Sequence, residues 1–257
     1  VSALVAAICA LYGLVIGSFL NVVIWRVPRK ESIVSPASHC PGCETPIAVR
    51  DNVPVVSWLV LRGHCRTCGT KISFRYPFVE LLTGVLFGAV GARFAGSWAL
   101  PAFLVLTAAL VALSAIDLEF YLLPTRILRP VAIISVPLLA LAAGLEQDWG
   151  AFGRAAAGAL VAFTFFFVVH LISPNGMGFG DVRLSFLLGL FLGFLGWGDL
   201  AGGLFFGFFY GAVIGIALIA LGARSRKQHI PFGPFLAAGT MTFVLFGAQI
   251  LDWYHGF

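Results

Sequence analysis

Residues 200–221, LAGGLFFGFFYGAVIGIALIAL, run for 22 residues without a charge. A helix of about 20 apolar residues crosses the roughly 30 Å hydrocarbon core of a bilayer. The apolar residues here are continuous rather than alternating, so a strand is not a serious competitor. A helix also satisfies every backbone group within its own segment. Comparable runs cover 3–25, 78–96, 99–116, 127–145, 152–172, 182–197 and 232–252. Together they predict an all-α polytopic membrane protein of about eight transmembrane helices. Composition agrees. The 257 residues are 60% hydrophobic and only 11% charged, whereas a soluble domain carries about 25% charged residues. A soluble enzyme, a disordered chain and a secreted disulfide scaffold are all excluded.

Orientation follows from the 16 Lys and Arg, which gather on the cytoplasmic side of membrane proteins. Eight fall between the first two runs: Arg26, Arg29, Lys30, Arg50, Arg62, Arg66, Lys71 and Arg75. In an eight-span order Arg126, Arg129, Arg183, Arg224, Arg226 and Lys227 share that side, and only Arg93 and Arg154 fall opposite. The long polar segment is therefore expected in the cytoplasm and both termini outside. The first run lacks a basic leader and suits an uncleaved anchor. The net charge of +5 is accounted for by this bias and by attraction to anionic lipid, so no nucleic-acid partner is expected. The expected organisation is a first helix over 1–27, a polar module over 28–77 and a transmembrane core over 78–257.

Four of the five cysteines lie in that polar module, as CPGC (Cys40, Cys43) and CRTC (Cys65, Cys68). Two knuckles that each supply two thiolates make a tetrahedral zinc site. The module also repeats itself: HCPGCETPIAVR (39–50) and HCRTCGTKISFR (64–75) align at an offset of 25. The alternatives are two disulfides or a redox pair, and a cytoplasmic location argues against disulfides. His39 and His64 precede the first cysteine of each pair and are expected outside the ligand set, since four sulfurs fill the site. Cys9, inside the first run, reads as a small buried hydrophobe.

Charges at the edge of an apolar span are costly and point to function. Asp117 closes a run in LSAIDLEFYLLPTRI, and Asp181 opens another in SPNGMGFGDVRLSF, 64 positions later. In the predicted order both fall at the cytoplasmic membrane edge. Two carboxylates at one depth can share a proton, because like charges a few ångströms apart do not both ionise. One then activates water while the other protonates the scissile carbonyl, which is aspartic protease chemistry. Gly178 and Gly180, with Gly176, form a side-chain-poor approach to Asp181 through which an extended peptide can pass. The bland alternatives are a helix N-cap for Asp181 and an ion pair with Arg126 for Asp117.

These residues resemble the type IV prepilin peptidases, bifunctional leader peptidase/N-methyltransferases of bacterial membranes. The resemblance runs through GSFLNVVIWRVP (17–28), both CxxC pairs, NVPVVSWLVLRGHCRTCGTKISFRYPFVELLTG (52–84), the Asp before LLP, GMGFGD and IPFGPFLAAGT (230–240). It implies catalytic aspartates at Asp117 and Asp181 and the family's cysteines at Cys40, Cys43, Cys65 and Cys68. It further implies cleavage of a short basic leader from prepilins or pseudopilins, after a Gly and at the cytoplasmic face of the inner membrane. Members with the cysteine module commonly also methylate the new N-terminal amine with S-adenosylmethionine. No Gly-rich nucleotide-binding signature accompanies this module, so the residues that bind the methyl donor are unassigned. The family often has an acidic residue after the LP that follows its first aspartate; here Leu123-Pro124 leads to Thr125.

Other features have plainer readings. Gly203, Gly207, Gly211 and Gly215 recur every four residues and predict close helix packing, as do Gly189 and Gly193. Ser18 and Asn21 are expected in interhelical hydrogen bonds, with a site role as the alternative. Glu80 and Glu119, or lipid headgroups, are candidate partners for a basic leader. Two competing functions remain: a peptidase without methyl transfer, and a non-enzymatic transporter. The transporter predicts charges near mid-membrane, not at the edge.

Overall fold

Each apolar run folds as a helix, and small residues decide how closely neighbours approach. The computed structural model describes residues 2–173, 176–222 and 230–256. Its helices are α1 (Ser2–Arg26), α2 (Val56–Val60), α3 (Arg75–Arg93), α4 (Leu100–Phe120), α5 (Thr125–Leu145), α6 (Trp149–Ile172), α7 (Phe179–Leu195), α8 (Trp197–Ala220) and α9 (Gly233–His255). Among the described residues the only β pairing is two isolated bridges in the cysteine module, so the all-α expectation is met. Arg224, Arg226 and Lys227 lie outside the described residues.

Eight of these helices are long, and six of them, α1, α4, α5, α6, α8 and α9, are long and apolar enough to cross a membrane. The chain is a multi-pass membrane protein. The expected count of eight spans is not established, because two helices fall short on their own. The 17 residues of α7 rise about 26 Å, less than the roughly 30 Å hydrocarbon core. In α3, Arg75, Glu80 and Arg93 dilute 19 residues.

The chain divides into two compact units, Val1–Gly96 and Ser97–Phe257. In the first, α1 packs along α3. Their backbones nearly touch: a Cβ on Gly17 would lie 2.6 Å from Glu80 Cα. Cys9 is buried against Gly91, the small-hydrophobe role expected for it.

In the second unit α4 and α7 form the interior. They bury 11 of 21 and 12 of 17 residues respectively, and α7 packs against α5, α6, α8 and α9. Phe103 of α4 meets Phe191 of α7 edge-on, with ring centroids 5.2 Å apart. Gly189 of α7 lies against the Gly158 carbonyl of α6, and Gly207 of α8 against Leu236 and Gly239 of α9. The glycine stripes are thus packing surfaces, as the sequence predicts. Leu141, Leu160, Val161, Phe205 and Ile216 project outward from the second unit, an apolar exterior that a lipid environment accepts and water does not.

Candidate active site and metal centre

The cysteine module is two copies of one turn. His39 bridges to Pro46 and His64 to Lys71. The Cys40 N–H donates to the Thr45 carbonyl (3.0 Å), and the Cys65 N–H to that of Thr70 (2.8 Å). Each turn reverses through a left-handed residue, Glu44 (φ 55°) or Gly69 (φ 70°). The sequence repeat is therefore a structural repeat. Neither histidine is drawn into the cysteine cluster: His39 Nδ1 lies 3.2 Å from the Ala37 carbonyl, and His64 Nδ1 2.7 Å from that of Arg62.

All four sulfurs lie within 4.8 Å of one another. Ligands about 2.3 Å from a tetrahedral zinc ion sit roughly 3.8 Å apart, and Cys40 Sγ and Cys68 Sγ are separated by 3.7 Å. The donor set fits a divalent, thiolate-preferring metal. Thr45 and Thr70, whose role the sequence did not reveal, place their hydroxyls 3.3 and 3.1 Å from Cys43 Sγ and Cys68 Sγ. The Thr70 side chain and backbone hydrogen bonds draw the Cys68 pKa down to about 6, which favours the ligating thiolate. The linker between the knuckles is braced to the second one. Arg66 grips Asp51 with two nitrogens (2.7–3.0 Å), which holds the Asp51 carboxyl below its usual range, and Trp58 Nε1 donates to the Ile72 carbonyl.

Asp117 and Asp181 belong to the second unit. Asp117 sits in the last turn of α4, 5% exposed, and Asp181 in the first turn of α7, 7% exposed. Gly233, whose N–H meets Asp117, and Gly180, next to Asp181, both lie against Leu123, so the two carboxylates come to the same end of the unit. Gly178 is the N-cap of α7, so the alternative reading of Asp181 as a cap does not hold. The Asp181 side chain turns inward instead, and its Oδ1 is buried without a hydrogen-bond partner among the described residues. Asp117 does not depend on Arg126: its Oδ2 accepts the backbone N–H of Gly233 at 3.0 Å.

That contact brings in a third element. Gly233 opens α9, where the first N–H groups have no partner within the helix, and the positive end of the helix dipole suits a carboxylate. A Cβ on Gly233 would lie 2.8 Å from Asp117 Oδ2 and 3.2 Å from Leu123 Cδ2, and one on Gly180 would lie 3.0 Å from Leu123 Cβ. Leu123 therefore sits between the starts of α7 and α9, and both glycines are required by its proximity. Gly178 borders Asp181, where a Cβ would lie 3.4 Å from Oδ2. The loop before α7 is anchored by His170, whose Nδ1 lies 2.8 Å from the Met177 carbonyl. Arg183 Nη1 donates to Thr125 Oγ1 at 2.7 Å, and its guanidinium lies 4.7 Å over the Phe179 ring.

The candidate leader partners divide. Glu119 is exposed at the end of α4. Glu80 is 8% exposed and accepts the Val55 N–H, so it has too little open surface to line a run of basic leader residues.

Residues 11–94 match the bacterial peptidase A24 N-terminal domain, and residues 104–220 match the type IV leader peptidase family. One match falls within each compact unit. Among proteins named prepilin leader peptidase/N-methyltransferase, the one from Bacillus subtilis (strain 168) is 36% identical over 248 residues, covering 96% of this chain and 97% of its own. The Aeromonas hydrophila protein is 39% identical over 269 residues, with 95% and 91% covered. The Myxococcus xanthus (strain DK1622) protein is 42% identical over 221 residues, with 84% and 64% covered. No solved structure gives a significant match.

Proposed function

The chain belongs to the type IV leader peptidase family, and from that premise we propose that it cleaves the basic leader of prepilins or pseudopilins and methylates the new N-terminus with S-adenosylmethionine. The reaction we assign to the second unit is hydrolysis by an aspartate pair at the cytoplasmic face of the bacterial inner membrane. Arg126, Arg129 and Arg183 cluster in sequence around the two aspartates, and the positive-inside rule supports that side.

Asp117 is the base: with Oδ2 held by Gly233, its carboxylate takes a proton from water as the oxygen attacks the scissile carbonyl. Asp181 is the acid: its unpartnered Oδ1 carries the shared proton and delivers it to that carbonyl oxygen, which becomes a gem-diol hydroxyl. Collapse of the gem-diol breaks the C–N bond: one hydroxyl returns its proton to Asp181 and becomes the new carboxyl C=O, while the proton held by Asp117 passes to the leaving amine. Gly178 and Gly180 leave room for the extended peptide backbone beside Asp181. Glu119 is the remaining acidic candidate for contact with the basic leader.

In the first unit Cys40, Cys43, Cys65 and Cys68 would hold a structural zinc ion, which supplies the cross-link that a polar segment of this size lacks from its own core. The observation that carries the peptidase reading is the convergence of α4, α7 and the start of α9 on two buried carboxylates 64 positions apart in sequence.

The test uses purified protein in lipid with a prepilin, with and without S-adenosylmethionine. Asp117→Asn and Asp181→Asn are each expected to abolish cleavage while the thermal transition stays within a few degrees. Cleavage that persists in either folded variant removes the pair from the mechanism.

A further inference from the structure

The first unit holds a buried carboxylate that peptide cleavage does not use. Glu80 Oε2 accepts the Val55 N–H at 2.7 Å, and the Ser18 side chain hydrogen-bonds to the same carboxylate. Val55 has φ 60°, a backbone state that a β-branched residue occupies only when its surroundings impose it. The cost is taken where Val55 meets Glu80.

Asn21, on α1, is 4% exposed. Its Nδ2 donates to the Tyr76 carbonyl at 3.1 Å, which fixes the direction of the amide. Among the described residues Asn21 Oδ1 is then left buried and without a partner. Gly17 lies against Glu80, and one turn further along both helices Asn21 lies against Tyr76. The carboxylate and the orphaned amide oxygen thus share one strip of the α1–α3 interface. An unsatisfied buried acceptor costs about 1–3 kcal/mol, so this strip is short of a donor. Half-buried Ser18 and Tyr76 flank it, and Glu80 and Asn21 each keep a little exposed surface.

We propose that Glu80 and Asn21 receive the free α-amine exposed by leader cleavage, and that Glu80 removes a proton from it so that it can be methylated. This rests on the methyltransferase reading above. The ammonium gives one proton to the Glu80 carboxylate, while a remaining N–H donates to Asn21 Oδ1. The freed lone pair forms the N–C bond to the sulfonium methyl of S-adenosylmethionine as the S–C bond breaks and its electron pair stays on sulfur. The products are a methylated ammonium, a neutral thioether and protonated Glu80, which returns its proton to solvent. Val55 lies between the two cysteine knuckles, so folding of the metal module delivers the N–H that positions Glu80. That link ties the cysteines to methyl transfer.

The experiment compares wild type with Glu80→Gln and Asn21→Leu on a prepilin plus S-adenosylmethionine, following leader removal and methyl addition by mass. Glutamine keeps an oxygen for the Val55 N–H. Glu80→Gln is expected to cleave within about twofold of wild type and to methylate at least ~100-fold more slowly, in line with the loss of a general base. Its methylation recovers as pH rises, when hydroxide deprotonates the amine. Without methyl donor, a pre-cleaved pilin peptide with a free amine is expected to bind wild type in preference to its N-acetylated form, and both variants lose that preference. Wild-type methylation in Glu80→Gln, or an intact free-amine preference in both variants, overturns the site and leaves the methyltransferase reading standing. If Glu80→Gln does not fold, the free-amine preference of Asn21→Leu decides alone. A wild-type protein that cleaves and never methylates overturns the reading and the site together.

Discussion

Asp117 is positioned by a backbone amide, which makes a glycine as important to the site as a charged residue. Gly233→Ala would put a methyl group 2.8 Å from Asp117 Oδ2, so the carboxylate must turn away or α9 must retreat. Misplacing a reacting group by about 1 Å costs on the order of 100-fold in rate, and kcat for leader cleavage should fall by about that much with the fold intact. Gly153→Ala is the control: among the described residues no atom outside its own stretch of helix lies within 4 Å of the added carbon, and cleavage should match wild type. Thr70→Val tests the other centre. It deletes the hydroxyl beside Cys68 Sγ, and loss of such an outer contact typically weakens metal binding 10–100-fold; competition with a chromogenic chelator measures the change. Residue chemistry was partly legible in the sequence. The aspartates and cysteines announce themselves by type and repeat, and Thr45 and Thr70 were visible as shared letters of that repeat. The part played by Gly233 was not legible, because a backbone N–H has no side-chain signature and its acceptor lies 116 positions away.

At the scale of the helix, spacing was legible and partner choice was not. The glycines of α7 and α8 mark close faces, but the letters alone do not pair Gly189 with Gly158 of α6 or Gly207 with Gly239 of α9. Under the proposed mechanism those pairings would matter for catalysis, because α7 carries Asp181. Gly189→Val should clash with the Gly158 backbone and destabilise the fold by roughly 1–3 kcal/mol, the usual range for overpacking. Thermal unfolding in detergent checks this. Cleavage should drop further than the lost stability explains, since α7 cannot shift without moving its aspartate. Length alone left the span count open at this scale. Apolar runs of similar appearance folded into helices of which α3 and α7 do not meet the requirement for a span by themselves. The deep burial of α7 shows that its apolar residues answer to neighbouring helices at least as much as to lipid.

For the molecule as a whole, the division at Gly96 and Ser97 predicts that the two activities separate. Stripping the metal with a strong chelator should unfold the module over 28–77 and abolish methylation, while leader cleavage stays within about threefold, because the metal-dependent fold is confined to the first unit and both aspartates lie in the second. Equal loss of the two activities would mean that the units do not act independently. The sequence by itself determined the membrane class and the repeated cysteine turns, and it singled out the two acids proposed here as catalytic. Each follows from local facts: the length of an uncharged run, the spacing of thiols in a tight turn, and the cost of placing a carboxylate beside lipid. Only the tertiary structure decided that the first N–H of α9 donates to Asp117, that Asp181 Oδ1 has no partner among the described residues, and that Asn21 and Glu80 share one buried strip. These depend on which helices become neighbours, and that is settled by shape complementarity among many small residues at once, a property no single stretch of chain contains.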